Sequence, residues 1–205
     1  MSDNNESREK LLLCAKEEFL EKGFTKASLR SICAKAGLTT GAVYFLFKDK
    51  NGLLKAIVEQ PLNKLFELMQ IHFKMEQQED LSTYHQRDGD HDAFALELVE
   101  LLYGNYDAMM ILLDKSQGSD YDGLVDKIIF MIDGYYRTFA KQYADITPGK
   151  VVDEYMLHWF SHLQVEAFIH LLTHEPDKEK AKVSIKRIID CLVSSWMNYI
   201  LKDEA

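Results

Sequence analysis

The sequence has little that breaks a helix, with three prolines and ten glycines in 205 residues. No stretch alternates apolar and polar residues for long enough to suggest a sheet, and no apolar run approaches the roughly 20 residues of a membrane-spanning helix. Cysteine is equally sparse. Cys14, Cys33 and Cys191 are odd in number, far apart and without C-x-x-C spacing, which argues against a disulfide framework and for reduced thiols acting as small core filler. The opening MSDNNESREK has neither the basic end nor the apolar stretch of a signal peptide. Also missing are a P-loop, the G-x-S-x-G and H-E-x-x-H signatures, and the Glu-x-x-His pairs of a carboxylate di-iron bundle. Together these absences predict a soluble cytoplasmic protein that is not an enzyme, carries no cofactor and does not enter a membrane.

What the chain does have is apolar content at helical spacing. At 47% hydrophobic residues it can bury an ordinary core. A helix over 7–22 places Leu11, Leu12, Ala15 and Phe19 on one face and stops at Gly23. Ser28 stands where it can cap a second helix, in which Leu29, Ile32, Cys33 and Ala36 fall at i, i+3, i+4 and i+7, and Gly37 can take the left-handed conformation that ends it. Thr39 then caps a third helix whose Val43 and Phe47 pack inward, and Asp49 a fourth, which Pro61 interrupts or restarts. Another helix is expected from Pro61 to about Gln78, then a surface loop over EDLSTYHQRDGDHD. Helical patterns cover 92–115, 121–143, 151–174 and 178–201, with breaks at KSQGSD, DITPGK and HEPDKE. The fold expected is all-α, with a boundary near 48–62 separating an N-terminal domain, 1–55, from a larger one, 56–205.

Charge is divided unevenly between them. Residues 24–58 carry Lys26, Arg30, Lys35, Lys48, Lys50 and Lys55 against the single acid Asp49, a local net charge of +5, whereas the whole chain stands at −9. A compact basic segment on an acidic body suits a polyanion that meets the segment and is repelled elsewhere. Within it, two short helices joined by Gly37, Leu38 and Thr39 form a helix-turn-helix, whose second helix can enter a DNA major groove. Thr40, Gly41 and Ala42 are small enough for close backbone approach, while Thr39, Tyr44, Lys48 and Lys50 suit phosphate. Phe45 lies on an outer face and is a further candidate DNA-binding residue. Arg30, on the preceding helix, can reach a phosphate or a guanine edge. The alternative is that these are solvated charges and that Tyr44 is a half-buried core aromatic.

The stretch SLRSICAKAGLTTGAVYFLFKDKNGLL, preceded by FLEKGF, resembles the DNA-binding segment of the TetR-type transcriptional regulators. Ile32, Ala36, Gly37, Leu38, Thr39, Gly41, Tyr44, Phe47, Lys50, Leu53 and Leu54 occupy the family's places. Cys33 departs from the usual alanine, Leu46 from a polar ring, and Gly52 from a glutamate that would complete a capping box with Asp49. The resemblance implies a helix-turn-helix three-helix head and a helical ligand-binding and dimerisation domain. It further implies a homodimer through the last two helices, a double-stranded DNA operator, and a repressor released by a small-molecule ligand.

In the acidic domain, Val183, Ile185, Ile188, Ile189, Leu192, Val193, Trp196, Met197 and Ile200 make an apolar surface wider than one monomer core requires and compatible with such pairing, the alternative being burial inside one monomer. Aromatic and methionine side chains are dense between Tyr103 and Phe168. From this set Tyr103, Tyr106, Met110, Phe130, Tyr135, Trp159 and His162 are the candidates for an adaptable apolar pocket, with Gln164 for orientation, the alternative being plain core. His158, His162, Glu166, His170 and His174 recur every four residues, but each step advances about 40° beyond a full turn, so the set spirals off any one face and no metal site is assigned. The loop cluster His85, Asp88, Asp90, His91 and Asp92 needs no ion to explain it. A bundle with metal-dependent sensing, or an adaptor whose head binds protein, is the alternative function, and the steep salt dependence of phosphate binding separates them.

Overall fold

The structure, a computed structural model, describes residues 2–76 and 90–204. Its helices are α1 (Ser2–Lys26), α2 (Leu29–Ala36), α3 (Thr40–Phe47), α4 (Lys50–Glu76), α5 (Asp90–Gly104), α6 (Tyr106–Asp114), α7 (Leu124–Asp145), α8 (Glu154–His174) and α9 (Lys178–Tyr199). Two three-residue strands, β1 (Lys150–Val152) and β2 (Leu201–Asp203), complete it. The fold is all-α, with an N-terminal helix-turn-helix followed by a helical body.

Compactness divides the chain into two units. The first takes Met1–Lys64 and Gly104–Leu124, the second Leu65–Tyr103 and Val125–Ala205. In the first, Leu11, Ala15, Phe19, Ile32, Val43, Leu53 and Leu54 are wholly buried, and α6 packs on α1. The loop after α6 is tied back to the same unit: the Phe24 N–H donates to the Lys115 carbonyl (2.9 Å), the Thr25 hydroxyl to the Gln117 carbonyl (2.6 Å), and the Asp120 N–H to Asn51 Oδ1 (3.1 Å). In the second unit Phe139, Ala140, Leu157, Phe160, Trp196, Met197 and Ile200 form a buried cluster.

Several sequence expectations change here. Pro61 neither interrupts nor restarts a helix, since α4 runs through it. A proline removes one hydrogen bond and costs about 3 kcal/mol. Leu54, Val58, Leu62, Leu65, Met69 and Phe73 form a continuous buried stripe along α4, and each is worth about 1.5–3 kcal/mol, which outweighs that cost. The pattern over 92–115 is two helices, broken at Asn105 (φ −128°, ψ 35°) directly after Gly104, where two poor helix formers meet. The strands are a short antiparallel ribbon pairing Lys150 with Asp203, Val151 with Lys202 and Val152 with Leu201. At three residues each, they are too short to show alternation in sequence. Gly23 (φ 72°, ψ 163°) breaks α1 where a stop was expected, and one more helical turn follows it. The expected loop, with His85 and Asp88, lies outside the described residues, as do the side chains of Asp90, His91 and Asp92.

Candidate nucleic-acid interface

The turn between α2 and α3 is built from local chemistry. Ser28, extended at φ −111°, accepts from the Ser31 N–H (3.4 Å) and caps α2. Gly37 closes it at φ 69°, ψ 27°, with its N–H on the Ala34 carbonyl (3.2 Å) and the Leu38 N–H on the Cys33 carbonyl (2.9 Å). Thr39 takes the N-cap position of α3 in extended conformation (φ −87°, ψ 159°), but its side chain makes no capping hydrogen bond. Its hydroxyl and the first amides of α3 therefore remain as donors beside the positive end of the helix.

One residue that the sequence pattern did not single out holds this turn in place. Glu18 on α1 is completely buried, and its carboxylate accepts from the Lys22 ammonium (2.7 Å), the Ser31 hydroxyl (3.0 Å) and the Ser28 N–H (3.3 Å). The Lys35 ammonium stands 3.4 Å from its other oxygen. The Lys22 hydrogen bond, with those from Ser31 and Ser28, overrides the burial that would raise the Glu18 pKa and holds it down to about 2. A buried carboxylate thus anchors the N-terminus of α2.

Buried Val43 and Phe47 orient α3 and leave its other face outward. Tyr44 is 59% exposed and Phe45 76% exposed. Arg30, Thr39, Gly41 and Lys48 are also exposed, while Thr40, Ala42 and Lys50 are half-buried. The structure therefore brings the candidate residues onto α3, its two ends and neighbouring α2. Lys50 is placed differently from its neighbours: its ammonium donates to the Thr25 carbonyl (3.3 Å) and stands over the Phe24 ring (4.5 Å to the centroid), and burial pulls its pKa down. Lys48 carries positive φ (71°, ψ −51°), alone among the described non-glycine residues, and its N–H closes α3 on the Tyr44 carbonyl.

Comparison with known proteins supports the same assignment. Residues 11–57 match the family described as bacterial regulatory proteins, tetR family. Over those residues the head is similar to that family. That head is 43% identical over 53 residues to the HTH-type transcriptional repressor BepR of Brucella suis, a match over 26% of this chain and 25% of BepR. It is 40% identical over 75 residues to the uncharacterized regulator YvdT of Bacillus subtilis, covering 37% and 38% of the two chains. The matches thus span about a quarter to two fifths of these relatives. Beyond the head the likeness is one of fold. A transcriptional regulator of Aquifex aeolicus superposes with TM-score 0.54 at 18% identity over 91% of this chain and 99% of its own. For MexZ of Pseudomonas aeruginosa the TM-score is 0.51 at 16% identity, over 91% and 94%.

The candidate ligand residues fall in both compact units. Tyr106 and Met110 lie on α6, in the same compact unit as the head. In the other unit, the Tyr103 hydroxyl bonds to the Leu171 and Glu175 carbonyls, and Tyr135 stacks on Phe73 at 3.9 Å. Phe130 is 82% exposed and Trp159 45% exposed, and His162 meets His158 edge-to-face at 4.7 Å. Phe130 and His162 line an open cleft with Asp133 and His158, whose Nδ1 is 3.1 Å from the Asp133 carboxylate. A separate cavity of about 50 Å³ lies among His72, Glu76, Tyr136, Gln164 and Trp196; Tyr136 belongs to the aromatic-rich region legible in the sequence and Gln164 is its expected orienting group. His170 and His174 stack at 4.1 Å, and among the described residues no three or more His, Cys, Asp or Glu side chains gather as metal ligands would.

Proposed function

We propose that the protein is a sequence-specific DNA-binding transcriptional regulator, a homodimeric repressor released from its operator by a small-molecule ligand. The observation that carries this reading is the α2–turn–α3 unit, similar to that of the tetR family, whose α3 presents Gly41, Tyr44 and Phe45 outward with Thr40 and Ala42 half-buried beside them. Residues 1–55 act as the DNA-binding domain and 56–205 as the ligand-binding and dimerisation domain, with no catalytic role and a cytoplasmic setting. Among the described residues, no helix is long and apolar enough to cross a membrane.

Dimerisation through α8 and α9 is supported by large apolar groups left outside, Tyr155 and Trp159 on α8 and Val183 on α9. Most of the apolar α9 surface has another use: Ile185, Ile189, Trp196, Met197 and Ile200 are buried within the chain itself. A pair across a twofold axis would therefore rest on the exposed α8 aromatics and the outer edge of α9.

Selection of bound duplexes from a genomic or random pool tests the central reading. Enrichment of one palindromic site supports it, and recovery of unrelated sequences removes it. Tyr44→Phe and Lys48→Ala are each expected to weaken all sites alike, with Lys48→Ala lowering the slope of log affinity against log salt by about one counterion. Lys50→Ala, by contrast, should act through the Thr25 and Phe24 contacts and change stability more than salt slope. Equal slopes for Lys48→Ala and the parent protein would rule out the phosphate role. Arg30, Thr40 and Ala42 are the proposed base readers. Their replacement should reorder site preference by about 1–3 kcal/mol at one base pair.

A further inference from the structure

Trp196 is 8% exposed, and its indole Nε1 is a buried donor with no hydrogen-bond partner among the described residues. Such orphans are rare, because desolvating an N–H without a replacement acceptor is costly. Trp196 is one of the residues that line the body's cavity, with the Tyr136 ring 5.7 Å away and the Phe139 ring edge-on at 5.4 Å. The other polar groups of that wall already interact. His72 lies flat on Phe94 (3.7 Å, 5°) with Nε2 3.4 Å from the Glu76 carboxylate, and the Tyr136 hydroxyl bonds to Gln164. The ionisation of Tyr136 is pushed up by burial and by the charge of Glu76, so the cavity disfavours a second negative charge.

We propose that this cavity takes a small planar aromatic molecule, neutral or cationic, whose hydrogen-bond acceptor receives the Trp196 indole N–H, and that it rejects carboxylates. The inference rests on the ligand-responsive reading above and names the ligand class. Aromatic walls favour a flat π-surface, the unpartnered N–H demands an acceptor, and Glu76 repels anions. The free space is about 50 Å³, less than the roughly 150 Å³ of an apolar cavity that holds benzene, so entry requires the wall to yield. Leu192 and Val193 are half-buried lining residues on α9 that can move toward solvent.

The probes are quinoline, naphthalene and 1-naphthoate, which share one shape and differ in acceptor and charge. They are titrated into the DNA-free full-length protein while the two tryptophan indole N–H resonances are followed, with Trp159→Phe assigning them. Quinoline should shift the Trp196 resonance downfield and bind at least about fivefold tighter than naphthalene, and 1-naphthoate should bind weakest. Trp196→Phe should abolish the quinoline advantage while naphthalene still binds. If that variant does not fold, the parent series decides alone. Equal affinities for quinoline and naphthalene, preference for 1-naphthoate, response of Trp159 alone, or no binding of any probe overturns the proposal. Because no DNA is present, a protein without an operator would still give the quinoline ordering. A protein that binds its operator but not quinoline would lose this inference alone.

Discussion

Replacing Gly52 with alanine should lower the stability of the first compact unit by about 3 kcal/mol, the upper part of the range for forced overpacking. A Cβ built on Gly52 would stand 1.8 Å from the Phe47 carbonyl oxygen and 2.9 Å from its carbonyl carbon. Both are backbone atoms and cannot swing aside as a side-chain tip would. Relief would have to move the last turn of α3, which is pinned by the buried Phe47 ring and by the positive φ of Lys48. Helix propensity alone predicts the opposite sign, since alanine inside a helix is better than glycine by about 1 kcal/mol. A melting experiment therefore separates the two accounts: the clash predicts a fall of at least about 10 °C for a unit of this size, and propensity predicts a rise. The glutamate expected from the family pattern would meet the same oxygen. In this chain the Gly52 N–H donates to Asp49 Oδ1 (2.8 Å), so Asp49 caps α4 without the reciprocal half of a capping box.

The second large effect belongs to Glu18. Its folded pKa is depressed to about 2. A depressed carboxylate contributes stability that is present above its unfolded pKa and is lost as pH falls through the folded one. The unit should therefore lose stability from about pH 4.5 down to about pH 2, and Glu18→Gln should remove much of that slope. At neutral pH the same variant should cost about 1.5–3 kcal/mol, the range for hydrogen bonds to a charged group. Chemical denaturation of parent and variant at neutral and acid pH measures both. A variant with the parent's acid slope would show that other carboxylates govern it. On the proposed function, DNA affinity should fall along with stability, because Glu18 fastens Ser28 and Ser31 at the start of α2, which packs against α3.

The contrast between these residues shows what could be read from the sequence. The α2–turn–α3 unit was legible because its determinants are local: Ser28, Gly37 and Thr39 stand within a few residues of what they cap, and Val43 and Phe47 are one helical turn apart. Glu18 was not. It sits in KEEFLEK, where a glutamate normally faces water, and its partners Ser28 and Ser31 come 10 and 13 residues later. The Gly52 approach depends on the angle between two helices, which periodicity does not encode. At Pro61 the local penalty is visible in the sequence, whereas the burial of the stripe running past it, which outweighs that penalty, exists only in the fold. The body's cavity is assembled from α4, α5, α7, α8 and α9, and no spacing along one helix announces such a meeting. Aromatic density in the sequence includes Tyr136, Phe139 and Phe160 of the cavity lining but not His72, Glu76 or Phe94.

The hydrogen bonds that fasten the loop after α6 to Phe24, Thr25 and Asn51 also set a clock on biosynthesis. Residue 64 leaves the ribosome sixty positions before residue 124, yet both belong to one compact unit. At translation speeds of 5–20 residues per second, the nascent N-terminal part waits roughly 3–12 s for the segment that covers the end of α1. During that wait the Phe24 amide and the Thr25 hydroxyl have only water for partners, and the surface of α1 that α6 will occupy stays open. A fragment ending at residue 64 would stay in this waiting state permanently. One in which a short linker joins residue 64 to residue 104 would not.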